Sequence, residues 1–136
     1  MALTIEGRQF SQNGQRTFLR AVTYGPFPTD KVPDHATELA RISAAGFQAI
    51  RTYETPDQAF LDLLAENELI LLATIPWPWD TLFTEDPATL QEARGILATF
   101  LDSHAAHPAL GGLLIANEIR PDLVRFMGPV KVRDAL

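Results

Sequence analysis

The chain has 136 residues, 46% hydrophobic and 21% charged, with 11 basic and 17 acidic residues and a net charge of −6. That length supports one domain with a core and is short for two, and the acid excess excludes nucleic acid as a partner, because phosphate binding needs a basic surface. No apolar run approaches the roughly 18 residues of a membrane span, no basic and apolar leader opens the chain, so the cytoplasm is the expected location, and the lack of cysteine removes disulfides and thiolate sites.

In chain order, the first 20 residues read as a hairpin, with short β-rich runs on either side of Asn13-Gly14, a dipeptide suited to a type I′ turn. Its second half runs on through "TFLRAVTYGPF" as a strand that stops at Gly25-Pro26. Asp34 caps an expected helix over 35–45, with Leu39, Ile42 and Ala45 on one face and Gly46 as its stop. "FQAIRTY" (47–53) is a strand, residues 55–68 a helix capped by Thr55 or Asp57, and "LILLATI" (69–75) an almost wholly apolar strand. A loop carrying Pro76, Trp77, Pro78 and Trp79 follows. Asp86-Pro87 opens a long helix to about residue 106, since an aspartate cap and a proline in the first turn both favour initiation. "ALGGLLIAN" is the fourth strand, and residues 121–136 form a helix in two pieces broken at Gly128-Pro129.

Strands alternating with helices mean βαβ units and a parallel sheet. Two architectures follow, an open doubly wound sheet or part of a (β/α)₈ barrel. The turn after the first strand of the sheet is "YGPFPTD", with neither GxGxxG nor GxxxxGK. Without that phosphate cradle the barrel is preferred. The expected fold is therefore α/β, an N-terminal hairpin followed by four βα units, half of a TIM barrel. Residues 1–136 form one partial domain, with residues 1–18 as a capping hairpin.

In either architecture chemistry sits beyond the carboxyl ends of the strands. Those ends carry Tyr24, then Arg51 and Tyr53, then Trp77, then Asn117 and Glu118. Aromatic faces stack on sugar rings, amide and guanidinium groups bind hydroxyls or carboxylates, and a carboxyl in a cleft can act as a general acid. A carbohydrate is the ligand this collection suits. Plainer readings stand beside it. Arg51 can pair with Glu54 at the surface, Glu118 can be a solvated loop residue, Tyr24 and Tyr53 can be core residues, and Trp77 and Trp79 can be packing anchors. His35, His104 and His107 are expected on helices or loops away from this rim. The last two have i,i+3 spacing but no third ligand nearby, so no metal site and no cofactor is proposed.

The stretches "FSQNGQRTFLRAVTYGPF", "GFQAIRTYETP" and "LLIANEI" resemble the catalytic barrel of glycoside hydrolase family 2 and related clan A retaining enzymes. The chain is also similar to the barrel region attached to some bacterial family 2 glycosyltransferases. The resemblance implies that Glu118 is the general acid/base, that Asn117 bonds a sugar 2-hydroxyl, and that Arg51 keeps the nucleophile ionised. Tyr24 and Trp77 take suitable rim positions without matching a fixed motif residue. In the family the nucleophile is a glutamate on strand seven, and no residue here matches it. A half barrel leaves one sheet face open, to be covered by a homodimer, by a further half barrel, or by the C-terminal helix over a flattened sheet. A non-catalytic carbohydrate-binding accessory module or a dimerisation half barrel is the alternative function.

Overall fold

The computed structural model describes residues 3–12 and 14–136. Three short strands, β1 (Leu3–Glu6), β2 (Gln9–Gln12) and β3 (Gln15–Thr17), form an antiparallel meander. The expected hairpin is its second half, β2 against β3, and Gly14 has the positive φ of +75° such a turn requires. Asn13 lies outside the described residues. The first half was not foreseen: β1 pairs with β2 from Leu3↔Gln12 to Glu6↔Gln9 around Gly7, φ +65°. The strand expected to run on from this hairpin is interrupted over residues 18–20.

Next come β4 (Ala21–Thr23), α1 (His35–Ala44), β5 (Ala49–Thr52), α2 (Gln58–Glu66), β6 (Ile70–Thr74), α3 (Pro87–His104) and β7 (Leu110–Leu114). Helices α4 (Pro121–Met127) and α5 (Pro129–Ala135) end the chain, divided at Gly128-Pro129 as expected. The four strands β4 to β7 form one parallel sheet in sequence order. That order decides between the two architectures. A doubly wound sheet reverses its strand order to place helices on both faces. Here every crossover steps the same way, and right-handed crossovers then put α1, α2 and α3 on one face, as in half of a (β/α)₈ barrel.

Side-chain alternation assigns each face. Val22, Ile50, Leu71 and Leu110 share one register row and pack toward the helices. They meet fully buried Leu39 of α1, Leu61 and Leu64 of α2, and Phe100 of α3. A second core lies under α3, where Ile75, Trp77 and Phe83 meet Met127 of α4 and Val132 of α5. The next row, Thr23, Arg51, Leu72 and Gly112, lies on the opposite face. Among the described residues no helix covers that face, and Leu72 and Leu114 on it remain partly exposed. Gly111 is required for the β6–β7 pairing, because a Cβ there would sit 1.9 Å from Ile70 Cγ2.

The helix ends follow the side chains in the sequence. The Asp34, Asp57 and Asp86 carboxylates accept from the backbone N–H groups of Thr37, Phe60 and Ala88, which lack intrahelical partners. Helix α1 stops at Gly46, φ +84°, whose N–H donates to the Ser43 carbonyl while that of Phe47 donates to Ile42. This is the Schellman arrangement, in which the residue past the cap is left-handed. Helix α2 repeats it with Glu68, φ +56°, in the glycine's place: Glu68 donates to Ala65 and Leu69 to Leu64.

Candidate functional site

Arg51 is the centre of the rim cluster. Strand β5 sets it on the open face, in register with Thr23 and Leu72. Its Nη2 donates to Asn117 Oδ1, reaching from β5 past β6 to the segment beyond β7. Its Nε donates to Thr74 Oγ1 at 3.5 Å, and the guanidinium lies 4.5 Å from the Tyr53 ring centroid. A cation over an aromatic face is worth about 0.5–2 kcal/mol, more as water is excluded. Three elements thus hold one guanidinium. No carboxylate of the described residues forms an ion pair with it, so the Arg51–Glu54 pair that the sequence left open is not made. Glu54 instead lends its backbone carbonyl to the Thr52 hydroxyl at 2.7 Å.

The pairing fixes Asn117. Arginine has only donors, so the amide oxygen must face it and the amide NH₂ is turned elsewhere, free to bond an acceptor. One residue on, Glu118 is exposed and has a left-handed backbone, φ +50°. That conformation costs a non-glycine residue about 1–2 kcal/mol. Unlike Glu68, Glu118 takes part in no helix-stop bonding: its N–H and carbonyl enter no backbone hydrogen bond among the described residues.

Tyr24 and Trp77 are not brought to Arg51. Tyr24 follows Val22 by two residues, so it faces the helices, and it is 8% exposed in the first core. Its hydroxyl hydrogen-bonds His35 Nδ1 at 2.7 Å. Burial, with Glu38 and Asp34 nearby, pushes the phenol pKa up and keeps it protonated. His35, expected away from the rim, stands at the start of α1 and therefore at the same end of the sheet as the site. Trp77 is 6% exposed in the second core, edge-on to Phe83 at 5.1 Å and to Trp79 at 6.2 Å. Its indole N–H donates to the Ile115 carbonyl. Through that bond it braces the segment leading to Asn117 and Glu118. Tyr53 touches both regions, since it carries Arg51 and also lines, with Tyr24, a cavity of about 450 Å³ between the β4–α1 and β5–α2 loops.

Thr74 was missed in the sequence, although a hydroxyl in the otherwise apolar run "LILLATI" is the signal that could have found it. His104 bonds the Phe100 carbonyl, and His107 faces Asp62 at 3.1 Å and has no part in this cluster. Among the described residues there is no group of three metal-binding side chains and no helix long and apolar enough to cross a membrane.

No protein-family model and no curated protein matches the chain. Two solved structures do. The crystal structure of ScGas2 in complex with compound 9 superimposes over 98% of this chain with TM-score 0.63 and 18% identity. That of Gas2 in complex with compound 10 does so over 98%, with TM-score 0.60 and 19% identity. This chain spans about a third of each, 35% and 36%. At that identity the likeness establishes the fold: the four βα units match part of a longer chain.

Proposed function

We propose that the chain is the first half of a retaining β-glycosidase barrel of the clan A type, with Glu118 as general acid/base. The observation that carries this is the Arg51–Asn117 hydrogen bond, which ties the two motifs of the sequence resemblance into one cluster beside an exposed, left-handed Glu118. The likeness to Gas2, a glycoside hydrolase with a TIM barrel, supports the same reading. The family 2 assignment rests on the sequence motifs alone.

In this mechanism the Glu118 carboxyl gives its proton to the glycosidic oxygen as the bond to the sugar breaks. A second carboxylate takes the anomeric carbon to form a glycosyl-enzyme. Glu118, now a carboxylate, removes a proton from water as that water displaces the enzyme carboxylate. The two carboxyl groups must lie about 5–5.5 Å apart. Among the described residues no carboxylate matches the family's nucleophile, so the nucleophile would come from whatever closes the barrel over Leu72 and Leu114. That is a further half barrel or a second copy of this chain. The N–H groups of Arg51 not used on Asn117 and Thr74 would hold the nucleophile ionised. Asn117 would use its free NH₂ on a sugar hydroxyl, with Tyr53, Tyr24 and Trp77 supporting the rim. The meander would cap the opposite end of the barrel.

That no described carboxylate takes the nucleophile's place favours a second reading, a glycan-binding module that cuts no bond. Azide separates the two. On the chain assembled with the strands that close its barrel, Glu118→Ala should abolish hydrolysis of 4-nitrophenyl β-glycosides, and azide should restore it by attacking the glycosyl-enzyme without a base. Sugar binding with no turnover in the parent assembly would establish the binding module instead.

A further inference from the structure

We propose that the 450 Å³ cavity between the β4–α1 and β5–α2 loops is a binding site for an aromatic group without negative charge, joined to the Arg51 cluster by the ring of Tyr53. Its volume falls within the range of about 300–1,000 Å³ usual for small-molecule sites. None of Arg51, Asn117 and Glu118 lines it, so it is a second site.

Four rings brace one another at its wall. Phe27 stands edge-on to Tyr24 at 4.9 Å, His35 edge-on to Phe60 at 5.2 Å, and Tyr24 is tilted over Phe60 at 5.7 Å. Such edge-to-face arrangements are favourable for aromatic quadrupoles and fix each ring's orientation. Phe27 nevertheless keeps 39% of its surface exposed, an apolar surface that a further ring can cover.

The polar groups of the cavity are largely spent. Tyr24 and His35 satisfy each other, the Thr52 hydroxyl is bonded to the Glu54 carbonyl, and the Asp57 carboxylate caps α2 through the Phe60 N–H. A ligand entering here is not asked for many hydrogen bonds. Negative charge is disfavoured. No lysine or arginine lines the cavity, while the Glu54 and Asp57 carboxylates do, which works against an anion. An aryl group without negative charge fits this lining, and the Glu54 carboxylate can accept from a ligand hydroxyl. If the glycosidase reading holds, on which this clause alone rests, the substrates are β-glycosides with an aryl group lying beyond Tyr53.

The test uses 2-naphthol, which carries no sugar, titrated into the chain and followed by saturation-transfer NMR. Saturable binding is expected. Phe27→Ala removes exposed aromatic surface and Ala59→Trp fills the cavity from an exposed helix position, and each should weaken binding at least about tenfold. Absence of saturable binding overturns the proposal, as does equal binding by parent, Phe27→Ala and Ala59→Trp proteins whose thermal unfolding stays cooperative. Glu118→Gln leaves 2-naphthol binding unchanged. Failure of the catalytic reading is seen separately, as hydrolysis indifferent to that same substitution.

Discussion

Two glutamates of this chain share a left-handed backbone, and they arrive there for different reasons. Glu68, φ +56°, ends α2 in the same bonding pattern with which Gly46 ends α1. Its strain is the cost of stopping a helix without glycine, and two backbone hydrogen bonds offset it. Glu118, φ +50°, has no such bonds and follows a strand. What surrounds it is an amide fixed by an arginine, and a tryptophan that grips the backbone three residues earlier. The difference separates strain offset by a helix stop from strain that no backbone hydrogen bond of the described residues offsets.

The sharpest way to break the comparison is to remove each carboxylate in turn. Glu118→Gln should lower hydrolysis of an aryl β-glycoside by the closed barrel about 10²–10⁴-fold, while Glu68→Gln leaves it unchanged. Equal effects would end the distinction. Next in size is the support of Glu118. Arg51→Ala leaves the Asn117 carbonyl without its donor, and the loss should be about 1–3 kcal/mol in stability or sugar affinity. Arg51→Lys should recover only part of it, since one ammonium cannot reach Asn117 and Thr74 in the same planar fork.

A smaller effect comes from relieving the strain itself. Glu68→Gly and Glu118→Gly should each raise unfolding free energy in urea by about 0.5–1 kcal/mol, because glycine adopts positive φ without penalty. Only the second should cost activity. The smallest contrast lies at the opposite helix ends. Hydrogen bonds from Thr37 and Thr89 hold the Asp34 and Asp86 carboxyls below their usual pKa. A depressed folded pKa gives stability that is present above the unfolded value near 4 and is lost as pH falls through the folded one. Thermal unfolding should therefore drop below about pH 4. Asp34→Asn and Asp86→Asn, which still cap, should flatten that dependence.

Much of this was legible in the chain. Asp34, Asp86-Pro87 and Gly128-Pro129 mark their helix boundaries because capping and proline geometry are local. The alternation of strand and helix gave the sheet, and the missing phosphate loop pointed to the barrel. The motifs around Arg51 and Asn117 named residues that do meet. The faces of Tyr24 and Trp77 were less legible. A strand end read from sequence says how far along the sheet a residue lies, whereas its parity with the paired rows decides which side it takes. Tyr24 shares parity with Val22 and so turns toward α1, and Trp77 is drawn into the core under α3. The left-handed Glu118 left no mark in the sequence either, since nothing about a glutamate announces positive φ. Strand β1 was hidden for a simpler reason: it is four residues long and mostly exposed, so it carries little apolar pattern.

The sheet order has a consequence for how the chain assembles. Ala21 pairs with Ala49, Ala49 with Ile70, and Leu71 with Leu110, so each strand pairs only with its neighbours in sequence. No pairing waits for a distant part of the chain, and loop-closure entropy is met in small steps. During synthesis from the N-terminus, the sheet can lengthen one βα unit at a time on the edge already formed. The Asn117–Arg51 bond, which spans three strands, can then close only after β7 has joined, and the packing of Met127 and Val132 onto the second core follows it.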